Sequence, residues 1–490
     1  MISCERRCIY LTSSIVSIAL SAWYAYIHPI INKDAVVYLL AAYAKGDASS
    51  LGYASHWIFF SWLIHGVATV LGVTAETSAK LLGASLDLLL ILAFLRLLER
   101  LRANSRTLAV GAIVVLVLPY LNDNRAEIIR DHGYWAFSMI ALIFYVDLMR
   151  RFSWKDLLGW YIAMGTATLF RVEGAAFLAL MPLGLLTIPA TEGKRLLGML
   201  KAYLPLAVGI TVLLAGMDKH TWDETRLATE LSNGWFTLQK VLMEELPAKA
   251  EALQQLLSPY YDHAAAVWVL FFAALVDIVK DLITTLSWPF FLILLFRRWF
   301  PAPGLPAEYR RALFFYLGVS ALVLLFQELR FFIMIARHTQ ALALALLPVV
   351  VFALDDLWQR YRKGRVSKTL ATAVLAGILA LAADSLIESA SDKSYLLEIG
   401  QWAAGHIPSR ARILSDNETA RLQYYMNDRA PGERQVRLYP KEADTLQGFD
   451  YAVVAKPGSE LSRILSDRKI RSVARFPQRK GKTVEIYPLK

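Results

Sequence analysis

Apolar runs close to the roughly 20 residues needed to cross a bilayer recur along the chain, separated by bursts of Lys and Arg. The runs are Ile9 to Ile27, Trp57 to Val73, Leu81 to Leu98, Leu108 to Leu121, Tyr134 to Met149, Leu157 to Phe170, Ala175 to Pro189, Tyr203 to Met217, Ile283 to Phe296, Leu313 to Phe326, Thr339 to Leu354 and Thr369 to Ile387. The bursts centre on Arg6 and Arg7, on Arg96 to Arg106, on Arg150 to Lys155, on Lys194 to Lys201, on Arg297 to Arg311 and on Arg360 to Lys368. Basic residues gather on the cytoplasmic side of spans, so an even number of crossings should separate each burst from the next. Three runs fall between the first two bursts, so one of them should not cross. Trp57 to Val73, with His56, His65 and Trp62 beside Trp57, is expected to lie re-entrant or on the outer surface, where such residues are at home. The pattern therefore predicts a polytopic α-helical membrane protein of about 11 crossings, N-terminus inside and C-terminus outside.

Five segments then face the outer side: 28–80, 122–133, 171–174, 218–280 and 327–338. They mix acids with bases, unlike the inner bursts. Asn32 to Gly46 has apolar residues at helical spacing and predicts a short amphipathic helix at the membrane surface. Ala264 to Val276 predicts a second interfacial helix. After residue 388 the composition becomes that of a soluble domain. Helices over Ser394–Ala404, Glu418–Met426 and Leu461–Asp467 alternate with strands over Ala411–Leu414, Gln435–Tyr439 and Tyr451–Ala455, and Val473–Phe476 and Val484–Tyr487 close the sheet. Two domains follow: a membrane domain over 1–388 and a small extracytoplasmic α/β domain over 389–490, about a hundred residues long.

Composition agrees: 56% of the 490 residues are hydrophobic and 12% aromatic. The net charge of +11 does not point to nucleic acid, because the bases come in topological bursts. Cys4 and Cys8 are the only cysteines and flank Arg6 and Arg7, which makes neither a disulfide framework nor a four-ligand metal site. Arg6 and Arg7 before the first run read as a signal-anchor. The soluble domain has no Gly-rich nucleotide loop and no metal-ligand spacing.

Candidate chemistry gathers in the outer segments. Asp34 opens the Asn32–Gly46 helix, either as a first-turn charge favoured by the helix dipole or as a catalytic base. The stretch LNDNRAEIIRDHGYW puts Asp123, Arg125, Glu127, Arg130, Asp131 and His132 at the mouth of two spans, where ionisable groups are functional candidates or simply pair with each other. Adjacent side chains rarely ligate one ion, so Asp131 and His132 make a weak metal pair. In FRVEG, Arg171 and Glu173 either bridge each other or leave Arg171 facing an anion. The corner ELRFFIMIARHTQ sets Glu328, Arg330, Arg337 and His338 at another outer end, and the guanidinium fork suits phosphate.

The order and sidedness of these motifs resemble the type C (GT-C) membrane glycosyltransferases, in particular their protein O-mannosyltransferase-like and aminoarabinose-transferase-like branch. KDAVVYLLAAYAKGD, the run from HWIFFSW to SLDLLL, RDHGYWAF, FRVEG, IARHTQALALALLP and the terminal α/β domain carry the likeness over nearly the whole chain. The resemblance implies a bacterial inner-membrane enzyme that moves a sugar, with inversion, from a polyprenyl-phosphate carrier to a glycan, lipid or protein acceptor on the periplasmic face. No cofactor is indicated, and the assistance of a divalent ion stays open. Asp34 would be the base, Asp131 the second-loop acid, and Arg337 a lipid-phosphate contact, with Arg130, His132, Arg171, Glu173 and His338 around the substrate. The sequence has Lys33-Asp34-Ala35 where the mannosyltransferases frequently have an Asp-Glu pair, and Arg337-His338 where Arg-Tyr is usual. Two other readings stay open: a transporter or flippase of lipid-linked sugars, and a noncatalytic membrane scaffold.

Overall fold

The computed structural model describes residues 4–44, 58–189, 191–216, 234–256, 262–296, 298, 300–332, 335–387, 393–439, 446–477 and 483–489. The expectations resting on Lys45 and Gly46, His56 and Trp57, residues 217–233 and 257–261 of the long outer segment, Arg297 and Glu388 lie outside them. The chain divides into two compact units.

The first unit holds residues 1–21, 83–125 and 130–388 and is helical. Among the described residues of the chain, five helices are long and apolar enough to cross a membrane: Cys4–Ile27, Ala75–Arg100, Asp131–Arg150, Ala307–Phe331 and Gln340–Arg362. A sixth candidate is the pair Ser105–Leu116 and Pro119–Ala126, bent by 56°. Pro119 causes the break, because it has no N–H to donate and so begins the second piece. The expected span Ile283 to Phe296 is likewise divided at Ser287, whose φ of 66° ends the His263–Leu286 helix, and Pro289 opens the next helix, Trp288–Leu295. Ala264–Val276 lies within that 24-residue helix instead of forming an element of its own. Ala175 to Pro189 becomes a seven-residue helix, Gly174–Leu180, and a tighter turn.

Burial sorts the helices. Windows of Gln340–Arg362 and Asp131–Arg150 are 83% and 78% buried, whereas that of Cys4–Ile27 is 22% buried and turns Leu11, Ile15 and Ile18 outward. Leu196, Leu200, Leu204, Val208 and Val212 are likewise exposed along Glu192–Gly216. Such outward apolar surface is costly in water and neutral in hydrocarbon, so it marks a lipid-facing rim. Gly133 lies so close to the Phe170 ring, and Gly159 to that of Phe144, that a side chain at either would collide with it. Small residues thus let the Asp131–Arg150 and Trp154–Phe170 helices approach closely.

The basic bursts also meet one another. Arg6 lies 3.8 Å from Glu99, Arg100 3.4 Å from Asp147, Arg102 3.8 Å from Glu308, and Arg150 Nε donates to Glu308 at 2.7 Å. Arg106 Nε donates to Asp355 at 2.5 Å. Residues in or beside five of the six bursts therefore share one end of this unit.

The second unit holds residues 22–82, 126–129 and 389–490. Its five-stranded sheet has the order β2-β1-β3-β5-β4, with β1 Arg412–Ser415, β2 Gln435–Leu438, β3 Tyr451–Val454, β4 Ala474–Pro477 and β5 Thr483–Pro488. β1 runs parallel to β2 and β3, and β5 antiparallel to β3 and β4. Ile413, Leu414, Ala452, Val453, Val484 and Ile486 are buried, and Leu461 and Leu465, one turn apart, bring the Glu460–Asp467 helix onto the sheet. The Lys33–Tyr43 helix belongs to this unit. The Ile31 N–H donates to Tyr425 Oη at 3.0 Å, and Asn32 exchanges two hydrogen bonds with the Ile128 backbone, accepting from N at 2.9 Å and donating to O at 3.3 Å. The neighbouring Phe59–Leu71 helix has 13 residues, about 20 Å of rise, too short to cross a bilayer by itself.

Candidate active site

Asp131 stands in the first turn of its helix, where the dipole favours a carboxylate. Arg171, at the end of the Trp154–Phe170 helix, has extended backbone that turns its side chain back toward that acid. One Nη of Arg171 donates to Asp131 Oδ1 and the other to Glu173 Oε1, the latter at 2.5 Å. The same guanidinium lies 5.8 Å from the centre of the Tyr134 ring. Both alternatives for FRVEG thus resolve toward pairing, with Asp131 as an additional partner 40 residues away. The side chains of Arg171 and Asp131 are buried, and that of Glu173 is 20% exposed.

Burial opposes the charge on Glu173, but the Arg171 charge and hydrogen bond, with Arg130 adding to them, hold its carboxyl well below the usual range. Its Oε2 has no hydrogen-bond partner among the described residues. His338 shows the opposite balance. Burial first, and then the Arg171 charge, push its imidazole down to about 3, so it is neutral at physiological pH. Gln327 Nε2 lies 2.7 Å from its Nδ1, which suits an amide N–H donating to a neutral ring.

These groups line one small cavity of about 20 Å³. Tyr134, Arg171 and Glu173 form one wall, Ser320 and Gln327 a second, and Arg337 and His338 a third. Asp131 sits behind Arg171, and the charges of Arg337 and Arg130 both reach it. The lining therefore brings the guanidinium groups of Arg171 and Arg337 together with the Glu173 carboxylate and a neutral imidazole.

His132 and Asp34 are described by their own surroundings. His132 Nδ1 is 2.8 Å from Asp87 Oδ1, so Asp131 and His132 face different partners. Asp34 lies in the second unit, half-buried in the first turn of its helix, where Asn32 makes no side-chain cap. Sequence reasoning missed Asp87, Tyr134, Ser320 and Gln327. Asp87 carried a usable signal, a lone carboxylate in the apolar run SLDLLLILAF, since an acid at membrane depth needs a partner.

No family model matches the sequence, and no curated protein does. Among solved structures, that of ArnT from Cupriavidus metallidurans bound to undecaprenyl phosphate matches with a TM-score of 0.52 at 13% identity, over 99% of this chain and 97% of that one. The fold is that of the GT-C glycosyltransferases. The arabinofuranosyltransferase AftD from Mycobacteria, in a mutant form, matches with a TM-score of 0.51 at 15% identity, over all of this chain. The chain spans 42% of the AftD chain. GT-C proteins are polytopic membrane proteins, which agrees with the lipid-facing helices described above.

Proposed function

We propose that this chain is an inverting glycosyltransferase that moves a sugar from a polyprenyl-phosphate carrier to a glycan, lipid or protein acceptor outside the cytoplasm. The observation that carries this reading is the cavity in which Arg171, Glu173, Arg337 and His338 meet. A half-buried guanidinium at Arg337 beside the neutral His338 suits a phosphate whose lipid tail stays in the bilayer. ArnT, with the same fold, holds undecaprenyl phosphate. Arg171 is committed to Asp131 and Glu173, so it sets the field of the site while Arg337 meets the phosphate. The unpartnered Oε2 of Glu173 is an acceptor for a sugar hydroxyl.

In the reaction, the acceptor oxygen or nitrogen attacks the anomeric carbon and its proton passes to Asp34. The bond from that carbon to the phosphate oxygen breaks, and the electron pair leaves with the polyprenyl phosphate. Glycoside hydrolysis needs an acid as well as a base, because the leaving alkoxide must be protonated. A phosphate leaving group is already a stable anion, so one base and the Arg337 charge suffice. The chain lies in a bacterial inner membrane, with its basic end in the cytoplasm and its α/β domain in the periplasm.

The test is sugar transfer in reconstituted membranes with radiolabelled polyprenyl-phosphate sugars and total membrane acceptors. Transfer by wild type that collapses in Asp34→Asn, while donor binding persists, supports the reading. Equal transfer by both removes Asp34 from the mechanism, and labelled lipid that crosses the bilayer without transfer establishes a flippase.

A further inference from the structure

In the second unit β1 passes through the Thr419–Met426 helix to β2 on one side, while β3 pairs with its other side. The strand order reverses at β1, and the carboxyl ends of parallel strands at such a reversal leave a crevice where ligands bind. The crevice here has a volume of about 790 Å³, within the roughly 300–1,000 Å³ of small-molecule sites. Asp416, Asn417 and Thr419 line it from the exit of β1, Lys456 and Glu460 from the exit of β3, and Lys33 from the first turn of the Lys33–Tyr43 helix.

The polar groups select the ligand. Asp416 accepts from Ala455 N at 2.7 Å, from Lys456 N at 3.0 Å and from Ser459 Oγ at 2.7 Å. A phosphate at such a turn would use those same N–H groups, and a carboxylate already fills the nest. Glu418 and Arg421, also in the lining, bond each other. Lys33, Arg421 and Lys456 balance Asp416, Glu418 and Glu460, so the lining has no net charge. A nucleotide or phosphate lacks both its cradle and its field. A polyhydroxylated molecule without charge finds donors at Lys33, Lys456 and the Asn417 amide, and acceptors at Glu460 and the Asn417 carbonyl.

We propose that this crevice binds an uncharged saccharide and is the acceptor site of the transfer, the second half resting on the glycosyltransferase reading above. Lys33 ties the crevice to the helix turn that carries the proposed base, Asp34. A glycan seated there has its reducing or non-reducing end within the same unit as that residue.

Saturation-transfer NMR on the purified full chain in nanodiscs, with neutral tri- to pentasaccharides as probes, tests the site. The expected result is a saccharide signal in wild type and in Asp34→Asn, at least tenfold weaker binding in Asn417→Leu and in Lys456→Met with unchanged melting temperature, and no displacement by millimolar inorganic phosphate. Lys456 is exposed, so its variant carries the test if Asn417→Leu fails to fold. Absence of any saccharide signal, undiminished binding in both variants, or displacement by phosphate would overturn the proposal. Saccharide binding without transfer by wild type would overturn the acceptor role and the glycosyltransferase reading together, and keep the crevice as a glycan-binding site.

Discussion

Asp87 Oδ1 lies 2.8 Å from His132 Nδ1, and both side chains are 1% exposed. Arg125 stands 3.8 Å from the same carboxylate and donates to Ser17 O, Ser17 Oγ and Ser21 Oγ. Asp87 is therefore the counter-charge that lets Arg125 stay buried, and it fastens the Ala75–Arg100 helix to the residue that follows Asp131. Removing one partner of a buried ion pair leaves the other uncompensated, at a cost of about 3–5 kcal/mol. Asp87→Leu is expected to lose that much, seen as a large fall in melting temperature in detergent. His132→Gln keeps a donor and is expected to lose only about 1 kcal/mol. Equal losses in the two variants would show that Arg125 does not depend on Asp87.

Arg171 makes a sharper case, because its one guanidinium serves two carboxylates at once. An ammonium offers a point charge and cannot reproduce that fork, so Arg171→Lys is expected to behave almost as badly as Arg171→Met. Both variants strand Asp131 and Glu173, at a cost of about 3–5 kcal/mol. Glu173→Gln leaves the Asp131 bond in place and is expected to fold while losing sugar transfer. Thermal melts alongside donor turnover separate these outcomes, and a fully active Arg171→Lys would refute the forked arrangement.

His338 gives the site an acid limit. Its pKa is pushed down to about 3, below the value of about 6.5 in an unfolded chain. Between those values the unfolded state binds more protons, so stability rises with pH there. The contribution is complete above about pH 6.5 and is lost as pH falls toward 3. Wild type is expected to melt at lower temperature at pH 5 than at pH 7, and His338→Gln to show a flatter profile. Parallel profiles for the two proteins would assign the acid sensitivity to another group.

The sequence reveals different parts of the molecule to different degrees, for physical reasons. The strands and helices after residue 388 lie within a residue or two of their expected places, because alternation with period 2 and an apolar face with period 3.6 are local signals. Membrane runs announce themselves by length and apolarity, yet the breaks at Pro119 and Ser287 do not, since a run stays apolar through a bend. Arg171, Glu173, Arg337 and His338, which line one cavity, drew attention in the sequence because charge at the ends of spans is unusual. The Arg171–Glu173 bridge was one of two readings of FRVEG, but the long-range partners were not legible: Asp131 and Arg171 are 40 residues apart and Asp87 and His132 are 45 apart, and no spacing rule joins such pairs.

Arg337 decides whether the cavity holds a phosphate. Arg171 is engaged by Asp131 and Glu173, and the imidazole of His338 is neutral, so among the lining residues Arg337 is the cation proposed to meet a phosphate. A hydrogen bond to a charged group contributes about 1.5–3 kcal/mol. Arg337→Ala is therefore expected to weaken polyprenyl-phosphate binding roughly ten- to hundredfold, and Arg337→Lys to recover part of it because charge survives without the fork. Titration of short-chain polyprenyl phosphate into the purified protein, read by intrinsic tryptophan fluorescence, measures both. A neutral polyprenol of the same length should bind wild type and Arg337→Ala alike, since it lacks the group that Arg337 meets. If the alcohol loses affinity as much as the phosphate does, Arg337 shapes the cavity wall and the phosphate is held elsewhere.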